Sequence, residues 1–301
     1  MTYYIGIDGG GTKTLLRVKD ETGAVCYEDV GGGSNPYTVP PAEATALVSA
    51  MVKKAMAAMG DATLGGICMG ASGADTEEDY ALFDRALREA SGSDLVRVVN
   101  DGYASLYAVL GDKPGVVVAS GTGSICWGKN EAGEIIRVGG WGYLFSDEGS
   151  GYCMVKDALK TVCQTIDGRA SRGTLLLEKL MDAFGVETPL DLVSEIYRCP
   201  SPQFIAGYFP LVSKAAEEND PLALEVIDKG MEDLVELAAS AARQLGMYPA
   251  FTVGMTGSIL NKVAMTREVF MKKAIERFPR CTVVDTLAEN VEGALFLAQR
   301  I

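Results

Sequence analysis

Apolar positions fall in short, nearly unbroken runs at the start of the chain and again after residue 114, and at helical spacing through most of the rest. Tyr3–Ile7 reads as a strand. A glycine-rich turn, a second strand, the polar turn Asp20-Glu21-Thr22-Gly23 and a third strand at Ala24–Val30 follow it. Gly31-Gly32-Gly33-Ser34-Asn35-Pro36 is a loop by composition, and Pro40-Pro41 opens a helix running to Gly60. Leu64–Ala71 is a predicted buried strand, Asp75–Ser91 an amphipathic helix with an acidic first turn, Leu95–Asn100 a strand and Gly102–Leu110 a helix, with Asp101 at the corner.

The pattern then restarts. After the linker-like Gly111-Asp112-Lys113-Pro114-Gly115, a shift of 110 positions lays Gly11-Thr12 on Gly121-Thr122, Lys19 on Lys129, Glu21 on Glu131 and Gly23 on Gly133. The second copy has a strand at Val116–Ala119, a Gly/Thr turn, a second strand, the polar turn Asn130-Glu131-Ala132-Gly133 and a third strand at Glu134–Val138. It then departs, with a loop from Gly139 to Gly151 that holds Trp141 and Asp147-Glu148. Mostly helical text follows: Tyr152–Ile166, Thr174–Phe184, Leu190–Tyr197, Phe204–Glu217 and Pro221–Leu245. A strand at Phe251–Met255 meets Thr256-Gly257-Ser258. A helix at Arg267–Phe278, a strand at Cys281–Val284 and a helix at Asn290–Gln299 close the chain.

At 301 residues and 48% apolar, the chain is long enough for two domains with a core each. Its net charge of −13, with no basic tract, argues against nucleic acid and anionic membrane surfaces as partners. A phosphorylated ligand must then be held by local donors and metal. Seven scattered cysteines without C-x-x-C spacing point to a reducing cytosol, against a zinc site or disulfide framework. No signal peptide is read before Tyr3, and no apolar run reaches membrane-spanning length. There is no histidine, so acid–base chemistry must rest on carboxylates.

Ile5-Gly6-Ile7-Asp8-Gly9-Gly10-Gly11-Thr12-Lys13-Thr14 reads as a phosphate-holding hairpin. Its glycines would adopt φ > 0 and bring backbone N–H groups close to an anion, Thr12 and Thr14 would add hydroxyls, and Asp8 would hold a hydrated Mg²⁺. It is not a P-loop, because G-x-x-x-x-G-K-[ST] is absent, and not a dinucleotide fingerprint, because a strand follows the glycines. Each feature alone has a plainer reading: a ligand-free turn, Asp101 as a helix cap, Asp147-Glu148 as the start of a helix, Trp141 as packing, Lys13 as a solvated residue. Two copies of the hairpin shift the balance, since each would offer hydroxyls and N–H groups to one polyphosphate.

The motif order Ile-Asp-Gly-Gly-Gly-Thr, Ser34-Asn35, Asn100-Asp101-Gly102, Ser120-Gly121-Thr122-Gly123-Ser124, Gly139-Gly140-Trp141-Gly142 and Asp147-Glu148-Gly149-Ser150 resembles the N-acetylglucosamine kinases. These belong to the BadF/BadG/BcrA/BcrD ATPase group of the actin-like superfamily. The resemblance implies an α/β protein of two ribonuclease H-like (actin-like ATPase) domains, residues 1–112 and 113–301, with ATP and sugar meeting in an interdomain cleft. The second domain would carry a helical insert at about 152–245, and the final helix, 290–301, would pack back on the first. Carried over by position, Gly10, Gly11, Thr12, Lys13, Gly121, Thr122 and Gly123 would face the ATP phosphates, with Gly257 and Ser258 by the nucleoside. Asn35, Asp101, Ser124, Gly140, Trp141, Gly142 and Asp147 would line the sugar. Asp101, a carboxylate at a strand's carboxyl end, is the candidate general base for the attacking hydroxyl, O6 of an amino sugar. The implied protein is a cytoplasmic homodimer using ATP and Mg²⁺, with N-acetylglucosamine, N-acetylmuramic acid or glucosamine as substrate. Two other classes stay open: an ATPase that activates a dehydratase or reductase through an iron–sulfur cluster, for which Cys126 and Cys153 are the available thiols, and a sugar-responsive regulator.

Overall fold

The computed structural model describes residues 1–169, 173–199, 201–285 and 287–301. In chain order the elements of the first half are β1 (Thr2–Gly9), β2 (Lys13–Asp20), β3 (Val25–Gly32), α1 (Pro41–Met59), β4 (Thr63–Ala71), α2 (Glu77–Ser91), β5 (Val96–Asn100) and α3 (Asp101–Leu110). The second half begins with β6 (Gly115–Ser120), β7 (Ser124–Lys129) and β8 (Ile135–Gly139). Six helices follow: α4 (Gly151–Ile166), α5 (Leu176–Phe184), α6 (Pro189–Arg198), α7 (Pro202–Ala206), α8 (Phe209–Glu217) and α9 (Pro221–Gln244). The chain ends with β9 (Thr252–Thr256), α10 (Ser258–Lys262), α11 (Ala264–Arg277), β10 (Thr282–Val284) and α12 (Asn290–Ala298).

Two compact units result, one of Met1–Lys113 with Ala288–Ile301 and one of Pro114–Leu287. Each holds a five-stranded mixed sheet in the same order: β3-β2-β1-β4-β5 in the first, and β8-β7-β6-β9-β10 in the second. The 110-residue repeat in the sequence is thus a repeat of topology, an antiparallel three-stranded meander extended on its first strand by two parallel strands. This is the ribonuclease H-like order, and the fold class is α/β.

In the first unit, alternation along β1 sends Tyr3, Ile5 and Ile7 into a core with Val48, Val52, Phe83 and Leu87 of α1 and α2. Tyr4 packs on the opposite side with Cys68, Ala104, Ala294 and Leu297, beneath α3 and α12. Asp8 has the parity of Tyr4 and Gly6, which puts it on the α3/α12 face. In the second unit the core gathers around α9, whose Met231, Leu234, Val235 and Ala238 are buried with Val116, Val118 and Val253 of the sheet.

Two departures from the sequence reading have local causes. The helix read over Phe204–Glu217 is two helices, because Pro210 lacks an N–H and its ring opposes a preceding helical turn; α8 therefore restarts with the proline in its first turn. The short α10 has no counterpart in the sequence pattern. It begins directly after Gly257, whose φ of 89° turns the chain out of β9.

Candidate active site

In the first unit, β1, β4 and β5 are parallel and end side by side, with Asp8 opposite Gly70 and Ala71 opposite Asn100. Carboxyl ends of parallel strands are where α/β sheets gather binding groups. Asp8, Ser72 and Asp101 meet there. The β1–β2 turn is closed by the Gly10 N–H donating to the Lys13 carbonyl at 3.0 Å, leaving Thr12 and Lys13 exposed. The Ser34 N–H donates to the Gly10 carbonyl at 2.9 Å and the Ser72 N–H to the Gly9 carbonyl at 2.8 Å, so two further loops are tied to this turn.

The expected positive φ does not occur at Gly9, Gly10 or Gly11. Close approach is what excludes a side chain at Gly9, where a Cβ would lie 2.5 Å from the Met69 methyl and 2.7 Å from Ser34 Oγ. Thr14 is also corrected. It is fully buried and its hydroxyl donates to Ser34 Oγ at 2.9 Å, so it pins the loop and does not face a phosphate.

Asp101 is the first residue of α3, and the cap of that helix is Asn100, whose Oδ1 accepts from the Gly102 N–H at 2.9 Å. The Asp101 carboxylate accepts from the same N–H at 2.8 Å and from the Ser72 hydroxyl. Burial, followed by the Asp75 charge, nonetheless pushes its carboxyl above the usual range. Asp8 is pushed up to about 6, first by burial and then by Asp101, while Lys13 and a hydrogen bond from Asn290 pull the other way. Asn35 stands at the rim. Its Nδ2 donates to Ser72 Oγ at 3.4 Å, and its Oδ1 accepts from the Tyr37 N–H at 2.9 Å.

Two neighbouring carboxylates whose ionised forms oppose each other are relieved by a cation. Mg²⁺ takes one or two protein carboxylates and fills its remaining positions with water and phosphate oxygens. Asp8, with Asp101 beside it, fits that ion. An iron–sulfur cluster fits less well at Cys126, which is fully buried on β7 with its thiol pushed up by burial. Burial also pushes up the Cys153 thiol.

The second unit builds a different surface from the equivalent turn. Gly121 N–H donates to the Gly123 carbonyl at 2.9 Å, and Thr122 is exposed. Ser124, read as a sugar contact, spends its hydroxyl on the Glu148 carbonyl at 2.7 Å, and Ser120 binds the Gly149 carbonyl at 2.8 Å. These bonds fold the loop after β8 onto the turn. Asp147, with φ of 67°, turns its carboxylate against Gly123, where a Cβ would lie 2.7 Å from Oδ2. It accepts from the Ser124 and Gly142 N–H groups, yet burial pushes it up to about 6. Ser150, and neither Asp147 nor Glu148, caps α4.

Gly139, Gly140 and Gly142 all have positive φ, which swings Trp141 outward with the Arg137 guanidinium 4.7 Å from its ring centroid. Trp141, Tyr143, Leu144 and Phe145 form an exposed apolar stretch. Ser258 is exposed at the start of α10, with its hydroxyl toward Gly121, so Gly257 and Ser258 do adjoin the turn.

Sequence reasoning missed Ser72, Asp75 and Asn290. Ser72 and Asp75 follow β4 as Asn100 and Asp101 end β5, so strand order could have marked them. Asn290 carried no local signal.

A duplicated ribonuclease H-like fold, with a Gly/Thr turn in each copy and paired carboxylates at the strand ends of one, defines the actin-like class of phosphate-handling enzymes. The chain belongs to the BadF/BadG/BcrA/BcrD ATPase family, whose model matches residues 5–298. It is 28% identical over 303 residues to the N-acetylmuramic acid/N-acetylglucosamine kinase of Clostridium acetobutylicum, with 99% of each chain covered. It is 29% identical over 310 residues to the N-acetyl-D-glucosamine kinase of Dictyostelium discoideum, covering 98% of this chain and 97% of that one. A crystal structure from Chromobacterium violaceum, provisionally named an N-acetylglucosamine kinase, superposes with a TM-score of 0.80 at 27% identity, covering 99% of both chains.

Proposed function

We propose that the protein is an ATP-dependent kinase that transfers the γ-phosphoryl group to the 6-hydroxyl of an amino sugar, N-acetylglucosamine foremost. The observation that carries this reading is Asp101: a carboxylate oriented by the Gly102 N–H and Ser72, at the end of β5, beside a second carboxylate suited to a divalent ion. Relatives along the full chain that are named as amino-sugar kinases support the substrate class.

Asp101 accepts the proton of the attacking hydroxyl. A weak base suffices, because phosphoryl transfer has a loose transition state in which the hydroxyl is oriented early and deprotonated late. Thr12 and Thr122, with the N–H groups of their turns, hold phosphate oxygens. Asp8 holds Mg²⁺, which when bound neutralises charge on the phosphates. Asn35 and Asp147 bind sugar hydroxyls, and the Trp141 ring gives the acyl group an apolar wall. The seven free cysteines suit a reducing cytoplasm. The exposed Ile166, Leu190, Val193 and Tyr197 on α4 and α6 suit a homodimer.

An ADP-release assay over glucose, glucosamine, N-acetylglucosamine, N-acetylmannosamine and N-acetylmuramic acid tests this. Turnover should be highest with N-acetylglucosamine. A higher kcat/KM for glucose or glucosamine than for the N-acetyl forms would overturn the substrate, and ADP release indifferent to every sugar would overturn the kinase.

A further inference from the structure

We propose that Asn290, the first residue of the last helix, is a positioning residue that aims the Asp8 carboxylate at the divalent cation; this rests on the kinase reading above. An ionised carboxylate only accepts hydrogen bonds, so the Asn290 amide must turn its NH₂ toward Asp8, with which it is hydrogen-bonded. That orientation sends Asn290 Oδ1 the other way, where Ser105 Oγ lies 2.8 Å off and donates to it. Ser105 Oγ is also 2.9 Å from the carbonyl of Asp101. The amide is therefore fixed at both ends. One end holds an oxygen of Asp8, and the other reads the helix that begins with Asp101.

The backbone around Asn290 leaves it little freedom. At Gly293, one turn on, a Cβ would lie 1.9 Å from the Ala104 carbonyl oxygen and 2.7 Å from Ala108 N, so α12 and α3 touch backbone to backbone. At Gly6 a Cβ would lie 2.8 Å from the Val291 carbonyl oxygen and 2.6 Å from Leu295 Cγ, so α12 is flush with β1 as well. Glu292 pairs with Arg17 at 2.7 Å and with Lys19 at 2.5 Å, which ties the helix to β2. Glycine contacts press α12 onto the two elements that carry Asp8 and Asp101, and Asn290 is the side chain it delivers there. The hydrogen bond to the amide restrains the rotation of the Asp8 carboxylate where the cation would meet it. Groups that orient metal ligands in this way commonly contribute 10- to 100-fold to metal affinity.

The test uses Asn290→Ala and the milder Ser105→Ala in the full-length protein. Two readouts are taken: Mn²⁺ binding in the presence of ATP, without sugar, by electron paramagnetic resonance, and the Mg²⁺ dependence of turnover. Asn290→Ala should weaken Mn²⁺ binding and raise the half-saturating Mg²⁺ about tenfold or more, with the sugar KM unchanged. Ser105→Ala should move both the same way by a few-fold, and should add little on top of Asn290→Ala, because the two residues act in series. Parental Mn²⁺ affinity in a folded Asn290→Ala protein overturns the proposal. So does a rise in sugar KM as large as the change in metal dependence. If Asn290→Ala does not fold, parental metal binding by Ser105→Ala overturns it. Failure of the kinase reading would look different: the parent protein itself would phosphorylate no hexosamine.

Discussion

The β1–β2 and β6–β7 turns occupy the same place in two copies of one repeat, and their differences divide the chemistry. The 110-residue shift lays Thr14 on Ser124, and both hydroxyls perform one duty: Thr14 pins Ser34 in the loop after β3, and Ser124 pins Glu148 in the loop after β8. The scaffold of the turn is shared. Asp8, by contrast, falls on Val118, which is fully buried in the second core, so only the first unit ends this strand in a carboxylate. Lys13 falls on Gly123, where the missing side chain makes room for the Asp147 carboxylate. The register differs too, with Gly9 opposite Thr14 in one turn and Ser120 opposite Ser124 in the other. The first unit keeps charge at its strand ends. The second presents backbone N–H groups, one buried carboxylate and an outward aromatic loop.

The largest test of that division is Asp101→Asn, which preserves shape and removes the base. kcat should fall by ~10²–10⁴-fold with sugar KM little changed. Retention of more than about a tenth of the parental kcat would move the base elsewhere. Next come Thr12→Ala and Thr122→Ala. If the shared scaffold serves one nucleotide, each should lower kcat/KM for ATP by roughly ten- to hundredfold, the loss of one charge-assisted hydrogen bond. A loss at only one of the two would show that the turns have diverged in function as they have in register.

Asp147→Asn should act on the other substrate, raising sugar KM by about tenfold at near-parental kcat. A fall in kcat matching that of Asp101→Asn would erase the distinction between the units. The smallest effect is thermodynamic. Asp8 and Asp147 are both pushed up to about 6, so between about pH 4, where an unfolded Asp titrates, and pH 6 the folded state holds protons the unfolded state has lost. Folding stability contributed by these groups therefore falls as pH rises through that window, by up to about 3 kcal/mol for each. Calorimetry should show Asp8→Asn and Asp147→Asn each flattening the slope. Mg²⁺ with ATP should flatten the Asp8 part alone, and a metal-insensitive slope would argue against Asp8 as a ligand.

Local pattern made much of this legible. Runs of period two and 3.6 located the neighbourhoods of all ten strands among the described residues and most helices to within a few residues, because burial of one face is written into the spacing itself. Caps were legible where a hydroxyl or carboxylate preceded a helix, but Asp101 and Asp147 were ambiguous. Only the tertiary structure shows that Asn100 and Ser150 perform the capping beside them. The glycines of the β1–β2 turn were legible as necessary and misread as to cause, because a sequence does not say whether a missing Cβ serves φ or a neighbour.

What the sequence determined by itself was the duplication, the absence of histidine and the resulting reliance on carboxylates, and the order of motifs that marks the family. These are properties of neighbouring residues and of composition. What only the tertiary structure decided was which carboxylate is charged by which neighbour, and what holds it. Ser105 and Asn290 are 185 residues apart and share a hydrogen bond at 2.8 Å. Ser72 reaches Asp101 because β4 and β5 lie side by side. Desolvation and Coulomb interaction depend on distance through space, and a one-dimensional pattern carries that distance only where the chain itself is the shortest path.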